Sequence, residues 1–215
     1  MRLKVGTRPS PLALKQVEEI QKKMPDIELY PAVIQTKGDK DKITPLTLME
    51  NSDFFTREIE QALLKGEIDI AVHSAKDLEE NMPEGLTIAA VTRSIARHDV
   101  LVSKEGYMLY DLPKKAAVGT SSRNRKEGIL KYRNDLIVKD IRGNIDERLA
   151  QLDGGDFDAV IMAQTALIRL GYFERNARVI PFYIIEPHPL QGSLAVQVHK
   201  ERKDLIEIFR GIDGK

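Results

Sequence analysis

The most informative absences in this 215-residue sequence are those of cysteine and tryptophan. Without a thiol, these residues cannot form disulfides, thiolate metal sites or cysteine nucleophiles. Lysine plus arginine and aspartate plus glutamate both number 33, so the formal net charge is zero. This balance argues against a general nucleic-acid or membrane-surface binder, because such proteins carry a surplus of positive charge.

Long apolar runs are also missing, and no stretch approaches the length needed to cross a bilayer. The opening stretch, MRLKVGTRPSPLAL, carries a charge every few positions and lacks the apolar region of a signal peptide. With 42% hydrophobic and 31% charged residues, the chain is expected to be a globular, cytoplasmic protein of one or two domains.

Strand-like and helix-like segments alternate along the chain, which favours an α/β fold. A strand is predicted at Leu3–Val5, followed by a helix with Ser10 as its N-cap and Pro11 in its first turn. Residues 97–117 are polar and are expected to be irregular. The other predicted elements are strands at 33–36, 68–72, 87–93, 116–118, 137–138, 158–162 and 193–198 and a helix at 54–65.

A short sequence repeat suggests that the chain has two similar halves. VGTRPS (5–10) and VGTSSR (118–123) each place a Gly-Thr turn, a serine and an arginine between a strand and a helix. We therefore predict two α/β domains, one inserted in the chain of the other. The first would comprise 1–92 and 181–215, and the second would comprise 93–180.

Basic and hydroxyl side chains are concentrated where predicted strands meet helices. Ligands of open α/β sheets bind at the carboxyl ends of strands, and helix N-termini there favour anions. Arginine adds a planar fork that matches a carboxylate or phosphate. We expect a cleft between the halves that binds a small ligand with several negative charges. Its candidate residues are Arg8, Ser10, Lys76, Ser121, Ser122, Arg123, Arg125, Arg142 and Arg148.

Two of these positions have purely structural alternatives. Ser10 before Pro11 is a good helix start without any ligand, and capping alone explains it well. Asn144 and Glu147 have the spacing of a capping box, and in that interpretation Arg148 is a solvated side chain.

The segment AVHSAKDL also admits a structural interpretation. Ser74 and Asp77 have capping-box spacing, and spacing alone favours a cap. A lone His73 is more often a packed histidine than a metal ligand. His98 and His188 lack the spacing of a metal site, so no metal is expected. The sequence also has no G-x-S-x-G elbow, dinucleotide fingerprint or P-loop.

Taken together, several segments resemble the porphobilinogen deaminase (hydroxymethylbilane synthase) family. They occur in the family's order and cover nearly all of the chain. The matching stretches are GTRPSPLALKQ, IQTKGD, REIEQALLKGEIDIAVHSAKDL, MPEGLTIAAV, VGTSSRNR, IRGNIDERLAQLDGGDFDAVIMAQTALIRLGY and PLQGSLAVQV.

The resemblance implies a fold of two domains of the type II periplasmic-binding-protein kind, with the site in the cleft between them and a third, smaller domain. It implies condensation of porphobilinogen units, with ammonia release, to hydroxymethylbilane in tetrapyrrole (heme) biosynthesis. It further implies a dipyrromethane cofactor and polycarboxylate pyrroles as ligands, with no nucleic-acid or membrane partner.

The resemblance also assigns roles to individual residues. Asp77 matches the catalytic carboxylate, which stabilises positive charge on pyrrole nitrogens. The groups that match holders of the acetate and propionate side chains are Arg8, Ser10, Lys76, Ser122, Arg125, Arg142 and Arg148.

The sequence departs from the family in several places. These 215 residues include no match to the third domain, which in the family carries the cysteine that binds the dipyrromethane, so we expect no thioether attachment within them. The family's SSLRR is Ser121–Arg125 here, with Asn124 at one arginine position and Arg123 displaced. At residues 50–53 this sequence lacks the glycines and lysines of the family's Gly-rich loop, and Lys40 and Lys42 are the lysines that could take their place. The family's VEVR corresponds to Val196–His199.

Three functional hypotheses follow. The first is a deaminase that holds its primer without a covalent bond or uses a separate cysteine-bearing domain. The second is a non-catalytic binding protein or subunit that holds a polycarboxylate tetrapyrrole precursor. The third is a regulatory or assembly subunit of a complex, in which the cleft is vestigial.

Overall fold

The structure is a computed structural model that describes residues 1–41, 53–78 and 82–214. These residues divide into two compact units, each with its own sheet. The first unit contains 1–41, 53–78, 82–95 and 190–214, and the second contains Ala96–Pro189. The second unit is therefore an insertion in the chain of the first.

Strands and helices alternate through most of the chain. The strands are β1 (Arg2–Thr7), β2 (Glu28–Val33), β3 (Ile70–Ser74), β4 (Leu86–Val91), β5 (Asp99–Ser103), β6 (Ala117–Gly119), β7 (Ile137–Lys139), β8 (Ala159–Ala163), β9 (Ala177–Ile180) and β10 (Leu194–His199). The helices are α1 (Pro11–Lys23), α2 (Lys37–Lys40), α3 (Arg57–Leu64), α4 (Arg123–Tyr132), α5 (Ile145–Gly154), α6 (Gln164–Leu170) and α7 (Lys203–Arg210). Short 3₁₀ turns occur at Asp53–Phe55 and Ala75–Asp77.

The two sheets have the same topology. In the first unit the strand order is β2-β1-β3-β10-β4, and in the second it is β7-β6-β8-β5-β9. β1 is parallel to both its neighbours, as is β6. β10 is antiparallel to both its neighbours, as is β5. The two copies of the short repeat, at the β1–α1 and β6–α4 junctions, thus occupy equivalent positions in the two sheets, which confirms the two similar halves.

Helices cover both faces of each sheet. In the first unit, α1 and α7 pack on the face that carries Val72 and Val196, while α3 packs on the face that carries Ala71. In the second unit, α4 covers the face of Leu101 and α5 covers that of Val100. Alternate strand residues therefore enter different cores, as the two-residue period of a strand requires.

The structure corrects two predicted elements. The strand predicted at 33–36 is displaced, because β2 ends at Val33 and Thr36 instead caps α2 through a capping box with Asp39. Residues 97–117 are not uniformly irregular, because they include β5, which is buried throughout.

The chain crosses between the units at residues 95–96 and 189–190. The sequence-based boundaries lie at 92–93 and 180–181. Ile185 belongs to the core of the second unit, which accounts for its later end. Of the helices in the described ranges, none has both the length and the apolar character that a membrane span requires.

Candidate active site

The 3₁₀ turn after β3 carries the central candidate, Asp77. The turn is held at its first residue, where the Ala75 amide donates to the Ser193 carbonyl oxygen at 3.0 Å. Asp77 itself is exposed. No residue that the structure describes forms a hydrogen bond or ion pair with its carboxylate.

The capping interpretation of this segment is wrong. Ser74 makes no side-chain cap to the turn. Its hydroxyl oxygen instead accepts a hydrogen bond from Gln16 Nε2 of α1 at 2.8 Å. Asp77 therefore lacks the reciprocal partner that a capping box would provide.

Lys76 lies beside Asp77 and is half-buried. Its Nζ donates to Gln191 Oε1 at 3.2 Å. Gln191 is buried, and its carbonyl oxygen accepts from Ser94 Oγ at 2.7 Å. The cation is thus oriented by a side chain from the segment that leads into β10.

Arg8 follows β1 and forms an ion pair inside its own unit. Its Nε and terminal nitrogen donate to Asp39 Oδ1 at 3.1 and 2.5 Å, and its guanidinium lies 4.3 Å from the centre of the Phe55 ring. Burial alone would raise the pKa of Asp39, but Arg8 and Thr36 outweigh it and hold that pKa below its usual value. A ligand carboxylate at Arg8 would share the guanidinium with Asp39.

Ser10 is the N-cap of α1, as predicted. Its hydroxyl oxygen accepts from the Ala13 amide at 3.2 Å, and Pro11 occupies the first turn. The described contacts of its side chain are therefore those of a helix cap.

Two serines of the second unit hold the β6–α4 junction. Ser121 is buried, donates to the Ile141 carbonyl oxygen at 2.7 Å and accepts from the Ile141 amide at 2.9 Å. Ser122 caps α4 by accepting from the Arg125 amide at 3.5 Å. Ser121 thereby ties this junction to the turn that precedes α5.

The two arginines at the start of α4 differ sharply. Arg125 is mostly buried and forms a bidentate ion pair with the buried Asp99, at 2.9 and 2.7 Å. Arg123 is exposed and pairs with Glu127 one turn along the helix at 2.9 Å. Arg125 is therefore part of the interior of the unit, whereas Arg123 lies on the solvent side of α4.

Arg148 belongs to a cluster of cations. Its Nε donates to the Gly143 carbonyl oxygen at 2.9 Å. Burial, together with the positive charges of Arg125 and Arg142, lowers the pKa of Arg148 to about 10. Such mutual repulsion favours the binding of an anion.

The structural interpretation of NIDERL, a capping box with a solvated Arg148, is right for the capping box and wrong for Arg148. Asn144 and Glu147 form a complete capping box at the start of α5. Arg148 is nevertheless half-buried and hydrogen-bonded, so it is not a solvated side chain.

His73 is a packed histidine, as the sequence suggests. It is buried, and burial lowers its pKa to about 4. Across residues 1–41, 53–78 and 82–214, no group of three or more histidine, aspartate or glutamate side chains has the arrangement of a metal site. Of the altered loop, Lys42 and residues 50–52 lie outside the described residues.

The candidate residues thus fall into two sets, one in each unit. The first set comprises Arg8, Ser10, Lys76 and Asp77, and the second comprises Ser121, Ser122, Arg123, Arg125, Arg142 and Arg148. Sequence reasoning missed Asp39, Asp99 and Gln191, which orient three of the cations. Their partners are distant in sequence, and no local spacing signals them.

Comparison with known protein families shows which family the chain belongs to. The model described as "Porphobilinogen deaminase, dipyromethane cofactor binding domain" matches residues 3–207. The chain belongs to the porphobilinogen deaminase family. The porphobilinogen deaminase of Deinococcus radiodurans is 43% identical over 215 residues, covering 97% of this chain and 70% of the relative. That of Chlorobaculum parvum is 40% identical over 210 residues, covering 96% and 67%.

Solved structures show the same fold at low identity. The Bordetella pertussis BvgS VFT2 domain (a double mutant) has a TM-score of 0.51 at 13% identity, covering 98% of this chain and 86% of that chain. The sulfate-bound OxyR2 regulatory domain of Vibrio vulnificus has 0.50 at 14%, covering 97% and 94%. An ancestral arginine-binding protein bound to arginine has 0.50 at 18%, covering 98% and 90%. The predicted two-domain α/β fold of the periplasmic-binding-protein kind is thereby confirmed.

Proposed function

We propose that this chain acts as a porphobilinogen deaminase, a transferase that condenses porphobilinogen units into hydroxymethylbilane. The observation that carries the proposal is the exposed Asp77 carboxylate, which has no partner among the described residues and lies beside the oriented cation Lys76. A site that only bound anions would gain little from such a carboxylate, because it repels them.

The chemistry requires a negative group at this position. When the carbon–nitrogen bond of porphobilinogen breaks, ammonia leaves and the remaining methylene-pyrrole is an electrophilic cation. The carboxylate of Asp77 would stabilise the charge that develops on the pyrrole nitrogen. The same carboxylate would accept a hydrogen bond from that N–H and so orient the ring. A new carbon–carbon bond to the next pyrrole then forms, and that pyrrole loses a proton.

The cations would hold the acetate and propionate groups carried by each ring. Arg148 is the strongest candidate, because burial and then two neighbouring cations lower its pKa, and a bound anion would relieve the repulsion between the cations. Lys76, Arg8, Arg125 and Arg142 would contribute further charge. Arg8 and Arg125 already have carboxylate partners, so they would set the orientation of the ligand more than its affinity.

The residues present fit a dipyrromethane cofactor in charge but not in covalent attachment. The cationic cluster around Arg148 suits a polycarboxylate primer. The 215 residues contain no cysteine, so the sulfur of a thioether would have to come from outside them. When bound, the cofactor supplies the pyrrole to which the first unit is added. We infer either that a primer is held without a covalent bond or that a cysteine outside these 215 residues, in this or another polypeptide, supplies the thiol.

The test is a priming experiment. The purified chain is incubated with porphobilinogen alone, with added dipyrromethane and with added hydroxymethylbilane, and both ammonia and oxidised uroporphyrin are measured. We expect ammonia release in at least one primed reaction. Binding detected by calorimetry, with no release under any condition, would instead favour the non-catalytic binding protein.

A further inference from the structure

The guanidinium of Arg8 is held both by an ion pair and by an aromatic ring. Its Nε and Nη2 donate to Asp39 Oδ1 at 3.1 and 2.5 Å, and its central carbon lies 4.3 Å from the centre of the Phe55 ring. Asp39 is itself fixed, because its Oδ2 accepts from the Thr36 amide at 3.0 Å and from Thr36 Oγ1 at 2.8 Å. Two segments that lie far from β1 in sequence therefore determine the orientation of this cation.

The ion pair uses only one edge of the guanidinium. An arginine can bind one carboxylate through the edge formed by Nε and Nη2 and another through the outer edge formed by Nη1 and Nη2. Asp39 occupies the first edge, and Arg8 Nη1 makes no hydrogen bond to any residue that the structure describes. The Arg8 side chain is 28% exposed, so a ligand carboxylate has access to the outer edge.

Phe55 packs against a glycine. A Cβ at Gly38 would overlap Cδ1 and Cε1 of the Phe55 ring and would lie 2.8 Å from its Cζ. Gly38 is buried within α2, and its φ is not positive, so its backbone conformation does not require glycine. The lack of a side chain at position 38 therefore provides the space that the ring occupies beside Arg8.

We propose that Phe55, accommodated by Gly38, is a positioning residue that holds the outer edge of Arg8 ready for a ligand carboxylate. This inference rests on the proposed function, because it requires Arg8 to bind an acetate or propionate group of the substrate. Asp39 accepts both hydrogen bonds through one oxygen, which leaves the plane of the guanidinium able to tilt. Stacking on the ring fixes that plane. Phe55 itself makes no contact with substrate in this proposal.

A small set of variants tests the connection from Gly38 through Phe55 to Arg8. Phe55→Leu keeps an apolar side chain but removes the ring, and Gly38→Ala displaces the ring. Combining Gly38→Ala with Phe55→Ala asks whether the new methyl group acts only through the ring. Gly154→Ala is the matched control, because Gly154 is the exposed last residue of α5 and a Cβ there would meet no atom within 4 Å.

The expected signature is a loss of orientation and not of affinity. In Phe55→Leu and Gly38→Ala, kcat for primed porphobilinogen turnover falls by about threefold to thirtyfold, because the oriented guanidinium is less populated by the factor that stacking contributes. KM changes by less than about twofold. Exchange of the Arg8 Nε proton with water, followed by NMR on protein with isotope-labelled arginine, becomes faster in both variants.

The double variant and the control make the assignment specific. Once Phe55→Ala has removed the ring, adding Gly38→Ala should change kcat by less than about twofold. Gly154→Ala should match wild type in kcat, in KM and in the exchange of the Arg8 proton.

Several results would overturn the inference. One is a kcat within about twofold of wild type in folded Phe55→Leu. Another is an equal loss from Gly38→Ala with and without the ring, because position 38 would then act independently of Phe55. A lower kcat without faster exchange of the Arg8 proton would show a general structural effect.

The proposed function and the positioning claim can fail separately. If wild type releases no ammonia with any primer, the proposed function fails on its own. Exchange of the Arg8 Nε proton then decides the positioning claim. Faster exchange in Gly38→Ala but not in Gly154→Ala supports it, and unchanged exchange in Gly38→Ala rejects it.

Discussion

At the scale of single residues, the candidate site depends on which charges are already paired. Arg8 and Arg125 form ion pairs with Asp39 and Asp99 within their own units. The members of these pairs are separated by 31 and 26 positions along the chain. The sequence showed that the arginines follow strands, but it could not show their partners. Asp77 differs from these paired groups, because its carboxylate lacks a partner among the described residues.

Arg148 supplies a test of the anion site. We expect Arg148→Gln to weaken binding of porphobilinogen by about tenfold to a hundredfold, as for loss of a hydrogen bond to a charged group. The measurement is calorimetry at fixed ionic strength. Arg175→Gln is the control, because Arg175 pairs with Asp153 elsewhere in the second unit. Equal losses in the two variants, or no loss in Arg148→Gln, would contradict the role of the cluster.

His73 predicts how stability depends on pH. Its pKa is about 4 when folded and near 6.5 when unfolded, so between these values the unfolded chain binds more protons. The contribution is complete above the unfolded value and is lost as pH falls toward 4. It amounts to roughly 3 kcal/mol, at about 1.4 kcal/mol per pKa unit. Urea unfolding of wild type and His73→Gln at several pH values measures it, and parallel pH profiles would refute it.

At the scale of elements, cap signals correctly placed the start of two helices but failed at the turn after β3. Ser10 and Pro11 correctly placed the start of α1, and Asn144 with Glu147 correctly placed that of α5. β5 was missed because it is a short apolar run beside charged residues, and only its central place in the sheet makes it a buried strand. The cap suggested by Ser74 did not form, because Gln16 competes for its hydroxyl.

Arg133 stabilises the segment between β5 and β6 through hydrogen bonds to its backbone. Its guanidinium donates to the carbonyl oxygens of Leu109, Tyr110 and Leu112 and pairs with Asp135. We expect Arg133→Ala to lower the free energy of unfolding by about 3 kcal/mol, because several acceptors lose their donor together.

The control for this prediction lies at the start of α4, the helix that Arg133 follows. Arg123→Ala removes an exposed ion pair with Glu127 and should change the free energy of unfolding by less than about 1 kcal/mol. Chemical denaturation of both variants gives the comparison. Equal destabilisation would show that the carbonyl contacts of Arg133 contribute little.

At the scale of the whole molecule, a repeated topology places basic strand ends in both units. β1 and β6 occupy equivalent positions, and each leads through a serine cap into a helix. The six-residue repeat was enough to predict this likeness, because both halves place a Gly-Thr turn, a serine and an arginine between a strand and a helix. The chain covers 67% to 70% of the length of its relatives. A thioether to a primer would require a cysteine from outside these 215 residues, because they contain none.

The central claim is that Asp77 acts on a developing cation. Its most direct test compares primed ammonia release from porphobilinogen by wild type and Asp77→Asn, together with ligand affinity by calorimetry. We predict that Asp77→Asn loses at least about a hundredfold in turnover, because a charge-stabilising group is removed. Its affinity should be equal or higher, because a negative charge leaves an anion site. Retained turnover, or turnover lost together with binding, would contradict the account.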